Sequence, residues 1–218
     1  MQLRAKHATT DVLVVQAQAL RVVLDPLGVP LVINDDVDAA AAAGVGVHVG
    51  TSDTPPELAR RRLGPDAVVG WSVESDGQLQ SSAAHGLRAC TYVAASPVWL
   101  TATKGDTGAA LGLDGLARLR SLTTLPLVAI GGIDTARAAA AVRAGADGVA
   151  VVSAVLAAPD PEAAARSLRH AVDAARADRR SPPAPDRSAG DDEVAAGATT
   201  SIGPPDRPRE DDQVRERN

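Results

Sequence analysis

Two lysines, one internal asparagine and a pair of aspartates carry the chemical content of this sequence. Lys6 and Lys104 are the only lysines beside twenty arginines, and Asn34 is the only asparagine before the terminal residue. Where a chain uses Arg so freely, a retained Lys points to a need for a compact ammonium, because the two cations differ in geometry and hydration. With Arg4, the lysines offer positive charge to a phosphate or pyrophosphate; as loop charges they would be ordinary solvated residues. Asp35 and Asp53 can share one Mg2+, which takes carboxylate and phosphate oxygens. Alternatively Asp35 or Asp36 caps one helix and Asp53 the next. Thr101 and Thr103 share a loop with Gly105 and Gly108, long enough for a lid and equally suited to a local hydroxyl turn. Gly131-Gly132 and Val152-Ser153 leave backbone N–H groups open to a phosphate.

His48 lies inside an apolar strand and reads as structural. His7, His85 and His170 lack metal-ligand spacing. Trp71 and Trp99 read as core residues, with Trp99 also placed to wall a pocket.

These residues acquire a common position once the elements are laid out. Residues 127–130 form a short apolar run stopped by Gly131 and Gly132, residues 135–144 repeat small and apolar types at helical spacing up to Gly145, and residues 149–152 form the next apolar run. That is strand, helix, parallel strand, with right-handed crossover. The same alternation runs through the chain. Strands are predicted near 1–4, 30–33, 45–49, 67–71, 90–95, 127–130 and 149–152, with helices at 11–24, 36–43, 55–63, 76–85, 113–121, 135–144 and 161–176. Seven strands fall one short of the eight that close a (β/α)8 TIM barrel. Gln2, Arg4, Lys6, Asn34, Asp35, Asp53, Ser72, Thr101, Thr103, Lys104, Gly132 and Ser153 all follow strand C-terminal ends, which a barrel gathers at one mouth. That convergence argues for an enzyme.

The net charge of −5 resides mostly in the last 38 residues, where nine acidic and five basic side chains give −4. This stretch also holds six of the fifteen prolines, so residues 1–176 are expected to form the catalytic domain and 177–218 a disordered tail. Neither part carries the basic field of a nucleic-acid binder. No apolar run approaches a membrane span, and a single cysteine, Cys90, fits a reducing compartment. A cytoplasmic location is expected.

Several ordered motifs resemble those of thiamine-phosphate synthases: QLRAK at 2–6, IND at 33–35, VHVGTSD at 47–53, GWSV around Ser72, TATK at 101–104, AIGGI, and AGADGVAVVSA. The resemblance spans residues 1 to about 158 and implies a (β/α)8 barrel that joins a pyrimidinylmethyl diphosphate to a thiazole phosphate carboxylate, releasing pyrophosphate. Carried over by position, it implies that Gln2, Arg4, Lys6, Asn34, Ser72 and Lys104 hold the pyrimidine diphosphate, with Lys104, Ser72 and Arg4 acting in catalysis. Asp35 and Asp53 would bind Mg2+, Thr101 and Thr103 the thiazole, and Gly132 with Val152-Ser153 its phosphate.

The sequence departs from the family at Asp36, Thr51 and Glu74, where Arg, Gln and His or Thr are usual. Asp36 and Glu74 are expected to add negative charge near an anion site. Relatives also carry a further strand and helix ahead of QLR, roughly 30 residues for such a unit. The chain is therefore expected to be a barrel lacking its first unit. An internal valine codon read as the start would account for it, and the seam is otherwise expected to close by homodimerisation. The competing readings are a thiazole tautomerase of the same family and a degenerate, non-catalytic phosphate-binding protein.

Overall fold

In the computed structural model, which describes residues 1–82, 86–100 and 109–180, the five inner strands are largely buried and the two edge strands are partly exposed. The strands are β1 (Gln2–Leu3), β2 (Val32–Asn34), β3 (Gly46–Val49), β4 (Val69–Val73), β5 (Tyr92–Ala95), β6 (Leu127–Ile130) and β7 (Gly148–Ala150). All pair in parallel and in chain order, forming a seven-stranded half-barrel sheet whose ends are β1 and β7.

Alternate side chains divide between two environments, as strand geometry requires. Val47, Val49, Val69, Trp71, Val73, Val93 and Ala95 point toward the helices and share one core with Ala17, Ala39, Ala40, Ala59, Leu116 and Ala138. Alanine on the helix side lets helices lie close to a valine-rich sheet, so a core almost without aromatics can still close-pack. Trp71 therefore belongs to the core, as its composition suggests. The other set, which includes Asn34, His48, Gly70, Ser72, Tyr92 and Ala94, lines the concave side.

The helices are α1 (Thr10–Leu24), α2 (Val37–Ala43), α3 (Pro56–Leu63), α4 (Asp76–Ser82), α5 (Gly86–Ala89), α6 (Gly112–Leu122), α7 (Thr135–Arg143), α8 (Ser153–Leu156) and α9 (Pro161–Arg180). Local chemistry starts several of them. Thr9 Oγ1 accepts from Val12 N–H, Asp36 from Ala39 N–H and Asp134 from Arg137 N–H, each satisfying a donor that a helix start leaves open. Of the helix expected over 76–85, α4 covers Asp76–Ser82 and residues 83–85 lie outside the described residues; α5 and α8 are additional to the predicted helices. The closing helix runs one turn past residue 176, to Arg180; the rest of the expected tail, 181–218, lies outside the described residues. No described helix is long and apolar enough to cross a membrane.

Arginine forks fasten the end of the sheet opposite the strand C-termini. Arg21 donates to Ala43 O, and Arg60 donates to Ala89, Gly64, Pro65 and Ala67 carbonyls. Arg120 donates to Leu125 and Thr123 carbonyls, and Arg179 to those of Val142 and Ala146. Five rigid donors per guanidinium suit this work better than an ammonium. Cys90, buried beside them, donates to Gly86 O at 3.2 Å; burial pushes its thiol up to about 12, with Glu57 adding to the rise and Arg60 opposing it.

Asp147, just before β7, gathers several of these elements. Its carboxylate accepts from Leu127 N–H at 3.0 Å, Arg120 at 2.9 Å and Arg179 at 3.1 Å, joining β6, α6 and α9. Partial burial pushes this carboxyl up, but the Leu127 N–H and the two guanidinium groups outweigh it and hold it below the ordinary carboxylate range. Stability from this group is therefore present above the ordinary value of 3.8 and is lost as pH falls through the depressed one. Asp147→Asn is expected to cost about 1–2 kcal/mol at pH 7, given its partly exposed ion pairs, lowering the melting temperature by roughly 2–6 °C. The gap between variant and wild type should narrow as pH falls below 3.8. Thermal unfolding followed by circular dichroism checks both; an unchanged melting temperature at pH 7 would remove Asp147 as a fastening point.

Candidate active site

At the C-terminal end of β2 the backbone makes a three-residue turn around Asp35. Asp36 N–H donates to Asn34 O at 2.8 Å, and Asp35 sits at φ 66°, the only described non-glycine residue with positive φ. A β-carbon in that region costs energy, and such strain persists where the surroundings enforce it, often at functional sites. The enforcement is visible. Asp35 N–H is held by His48 O at 2.8 Å, while Asp36 is turned the other way, accepting from Ala39 N–H at 2.7 Å as the α2 cap and from Thr10 Oγ1 at 2.7 Å.

This separates two roles that the sequence leaves open. Asp36 is the helix cap and Asp35 is not. The Asp36 carboxylate is thus engaged by α1 and α2. Asp53 does not cap α3 either: the cap position is Pro55, with no side-chain bond, and Asp53 Oδ2 reaches back to accept from Gly50 N–H at 2.7 Å. The Asp35 and Asp53 carboxyls then lie close enough to act on each other.

Burial first, and then the neighbouring Asp53 carboxyl, push the Asp35 carboxyl up to about 6; Asn34 and the Arg4 guanidinium pull the other way without prevailing. Neighbouring carboxylates disfavour each other's charged form, and a shared cation relieves that repulsion. Among the described residues no group of three or more His, Cys, Asp or Glu side chains converges. Two carboxylates beside an open mouth fit Mg2+, which is usually held by one or two carboxylates with water and substrate phosphates completing its shell.

Around this pair the register assembles other expected residues. Gln2 pairs with Val32 and Leu3 with Ile33, so continuing the register brings Arg4 level with Asn34, and Lys6 is exposed in the following turn. Ser72 lies one residue from the end of β4, buried, with its Oγ 2.8 Å from His48 Nε2. Ile130 pairs with Ala150, placing the Gly131-Gly132 turn beside Val152 and Ser153, the exposed first residues at α8. Gly131 and Gly132 have φ 105° and 61°, and a Cβ on either would press on Pro97 or on Trp99 and Leu100. Arg137 locks this turn by donating to Gly132 O at 2.6 Å while its guanidinium lies 5.4 Å from the centroid of the Trp99 ring. Trp99 thus supports the turn. Thr101, Thr103 and Lys104 lie outside the described residues.

A cleft of about 510 Å³ lined by Arg21, Asp25, Gly44 and Arg62 lies at the other end of the sheet and shares none of these groups. Tyr92 and Arg137 are the contributors that sequence patterns missed. Each had one signal: Tyr92 is the chain's only tyrosine, and Arg137 follows Gly132 by five residues, in the first turn of α7.

Residues 1–155 match the family described as thiamine monophosphate synthase. The thiamine-phosphate synthases of Azorhizobium caulinodans and Xanthobacter autotrophicus are 48% and 51% identical over 177 residues, in each case 81% of this chain and 82% of the relative. A thiamine phosphate pyrophosphorylase structure from Pyrococcus furiosus matches with a TM-score of 0.71 and 31% identity, covering 80% of this chain and 83% of that one. A 3-hexulose-6-phosphate synthase structure, at a TM-score of 0.57 and 20% identity, shares the fold.

The raised Asp35 value makes a pH prediction for the metal-free protein. A carboxyl that binds its proton more tightly when folded stabilises most below its ordinary 3.8, and that contribution is lost as pH rises through about 6. Asp35→Asn is therefore expected to be more stable than wild type at pH 7.5 by about 1 kcal/mol, after discounting for a half-exposed site. The gap should close by pH 4. Melting temperatures of both proteins in chelator across that range test it, and a less stable variant at pH 7.5 would refute the crowded-carboxylate account.

Proposed function

Because the chain belongs to the thiamine monophosphate synthase family, we propose that it joins 4-amino-2-methyl-5-pyrimidinylmethyl diphosphate to thiazole phosphate, or to its carboxylate with loss of CO2, forming thiamine phosphate and pyrophosphate. The observation that carries the reading is the Asp35–Asp53 pair at the strand ends, freed from capping and crowded enough to raise Asp35. Asp35 and Asp53 would hold Mg2+, whose chemistry is to neutralise charge on a diphosphate leaving group.

The remaining roles fall to this chain's own side chains. Gln2, Arg4, Lys6, Asn34 and Ser72 bind the pyrimidine diphosphate, and Arg4, Ser72 and Lys104 stabilise the charge that grows on its departing oxygen. The bond from the pyrimidine methylene to that oxygen breaks with its electron pair leaving on pyrophosphate. Thr101 and Thr103 orient the thiazole, and Gly132 with Val152 and Ser153 receives its phosphate on backbone N–H groups. The thiazole nitrogen then supplies the pair for the new carbon–nitrogen bond. No general base is needed to make that nucleophile, which suits a site whose one histidine is occupied within the sheet.

The finer reading of the fold belongs to the same proposal. The half-barrel is a (β/α)8 barrel short of one unit, and the place for it is between β1 and β7. Support comes from the elements beside those edges, where Val12, Val15, Val22 and Val23 on α1 and Leu156 on α8 are exposed. A tautomerase of the thiazole would have no use for paired carboxylates beside Arg4 and Lys6.

The assay is product formation with each component omitted in turn. Thiamine phosphate is expected only when both substrates and Mg2+ are present, and Asp53→Asn should lower kcat/KM by at least about 100-fold, the order expected when charge stabilisation at a leaving group is removed. Isomerisation of thiazole phosphate alone, or binding of both substrates without turnover, would replace this reading.

A further inference from the structure

Three polar side chains from adjacent strands form a continuous hydrogen-bonded line on the concave side of the sheet. Tyr92 Oη on β5 lies 2.9 Å from His48 Nδ1, and His48 Nε2 on β3 lies 2.8 Å from Ser72 Oγ on β4. The imidazole and phenol rings stack at 5.5 Å with an interplanar angle of 28°. The strand between them is bare at the crossing point. A Cβ on Gly70 would run into the Tyr92 phenol and lie 2.5 Å from His48 Nδ1. His48 and Ser72 are 7% and 6% exposed, so both ring nitrogens must be satisfied within the protein, and the Ser72 hydroxyl has its inner partner there.

The direction of the line follows from the strength of its donors. A phenol is a stronger hydrogen-bond donor than a serine hydroxyl and can donate or accept. Burial, and secondarily Cys90, push Tyr92 up to about 12, so it carries its proton throughout the neutral range. With the phenol donating to Nδ1, the imidazole proton sits on Nε2 and donates to Ser72 Oγ. A serine oxygen that accepts from inside the sheet has its own proton to give outward. An oxyanion needs a donor there.

We propose that Tyr92 and His48 are positioning residues that set Ser72 as a hydrogen-bond donor toward the diphosphate substrate at the strand C-termini. This rests on the assignment of Ser72 to that substrate. His48 touches no reacting atom in this scheme; it fixes which way the Ser72 proton points. In the opposite tautomer Ser72 would donate inward and present lone pairs to an anion, which repels it.

The test combines a spectrum and kinetics on the full chain. In nitrogen-15 histidine correlation spectra, the His48 signals, assigned by their loss in His48→Gln, should report the proton on Nε2 in wild type. A wild-type His48 protonated on Nδ1 overturns the proposal whatever the kinetics show and whether or not any variant folds. Tyr92→Phe keeps the ring and removes the donor. It is expected to lower kcat roughly tenfold, about the worth of one hydrogen bond, with KM for thiazole phosphate unchanged. His48→Gln, whose amide can still donate to Ser72, should retain more activity than His48→Ala. In a Ser72→Ala background Tyr92→Phe should have no further effect on kcat; an equal loss in both backgrounds would make Tyr92 merely structural and overturn the relay. If Ser72→Ala alone leaves kcat and KM untouched while the Nε2 tautomer is present, the assignment of Ser72 to the substrate is what fails, and the proposal with it.

Discussion

Gly70 has no side chain, and the space above its Cα is where the Tyr92 phenol and the His48 imidazole meet. A parallel sheet buried on both faces normally fills its inner side with branched apolar residues. Here the inner side of β3, β4 and β5 instead carries His48, Ser72 and Tyr92, and every described buried side-chain polar atom has a partner. A polar layer of this kind is tolerable only when fully satisfied, since an unpaired group in a low-dielectric interior is costly. The geometry at the strand ends inherits its order from that layer. His48 O holds Asp35 N–H, so the strand carrying the imidazole also shapes the turn carrying the carboxylate.

The division of the cations follows the same physical logic. Arg60, Arg120 and Arg179 reach the carbonyls of turns that precede strands, where a planar fork can satisfy several acceptors at once. Arg4 and Lys6 stand at the opposite end. Scaffold and chemistry are thus separated along the strand axis, as in barrels whose active sites occupy one face and whose fastening occupies the other.

Much of this was legible in the chain. Residues 127–130 form the strand their apolar run implies, with bounds unchanged, because a short buried strand between glycine punctuation and a helix has few alternatives. Boundaries shifted elsewhere by a residue or two, as at β4, which extends to Val73 and so takes Ser72 into the strand. Periodicity says that a position is buried but not on which side of a curved sheet. His48 was accordingly read as structural, and its partners Ser72 and Tyr92 lie 24 and 44 residues away in sequence. The choice between caps and metal ligands was likewise undecidable from spacing, because Asp35 and Asp36 are neighbours. The turn at φ 66° sends them to opposite sides. Asp147 sits within AGADGVAVVSA, but its fastening role is not legible there, since its partners come from three separate elements.

Cys90 has a practical corollary. It is the chain's one thiol, buried, and raised to about 12, so at neutral pH it is almost entirely protonated and unreactive toward alkylating reagents, which need the thiolate. A second cysteine introduced at an exposed position would be the sole reactive sulfur. The native sequence is therefore already a background for attaching a single fluorophore or spin label, with no need to disturb the packing beneath β5.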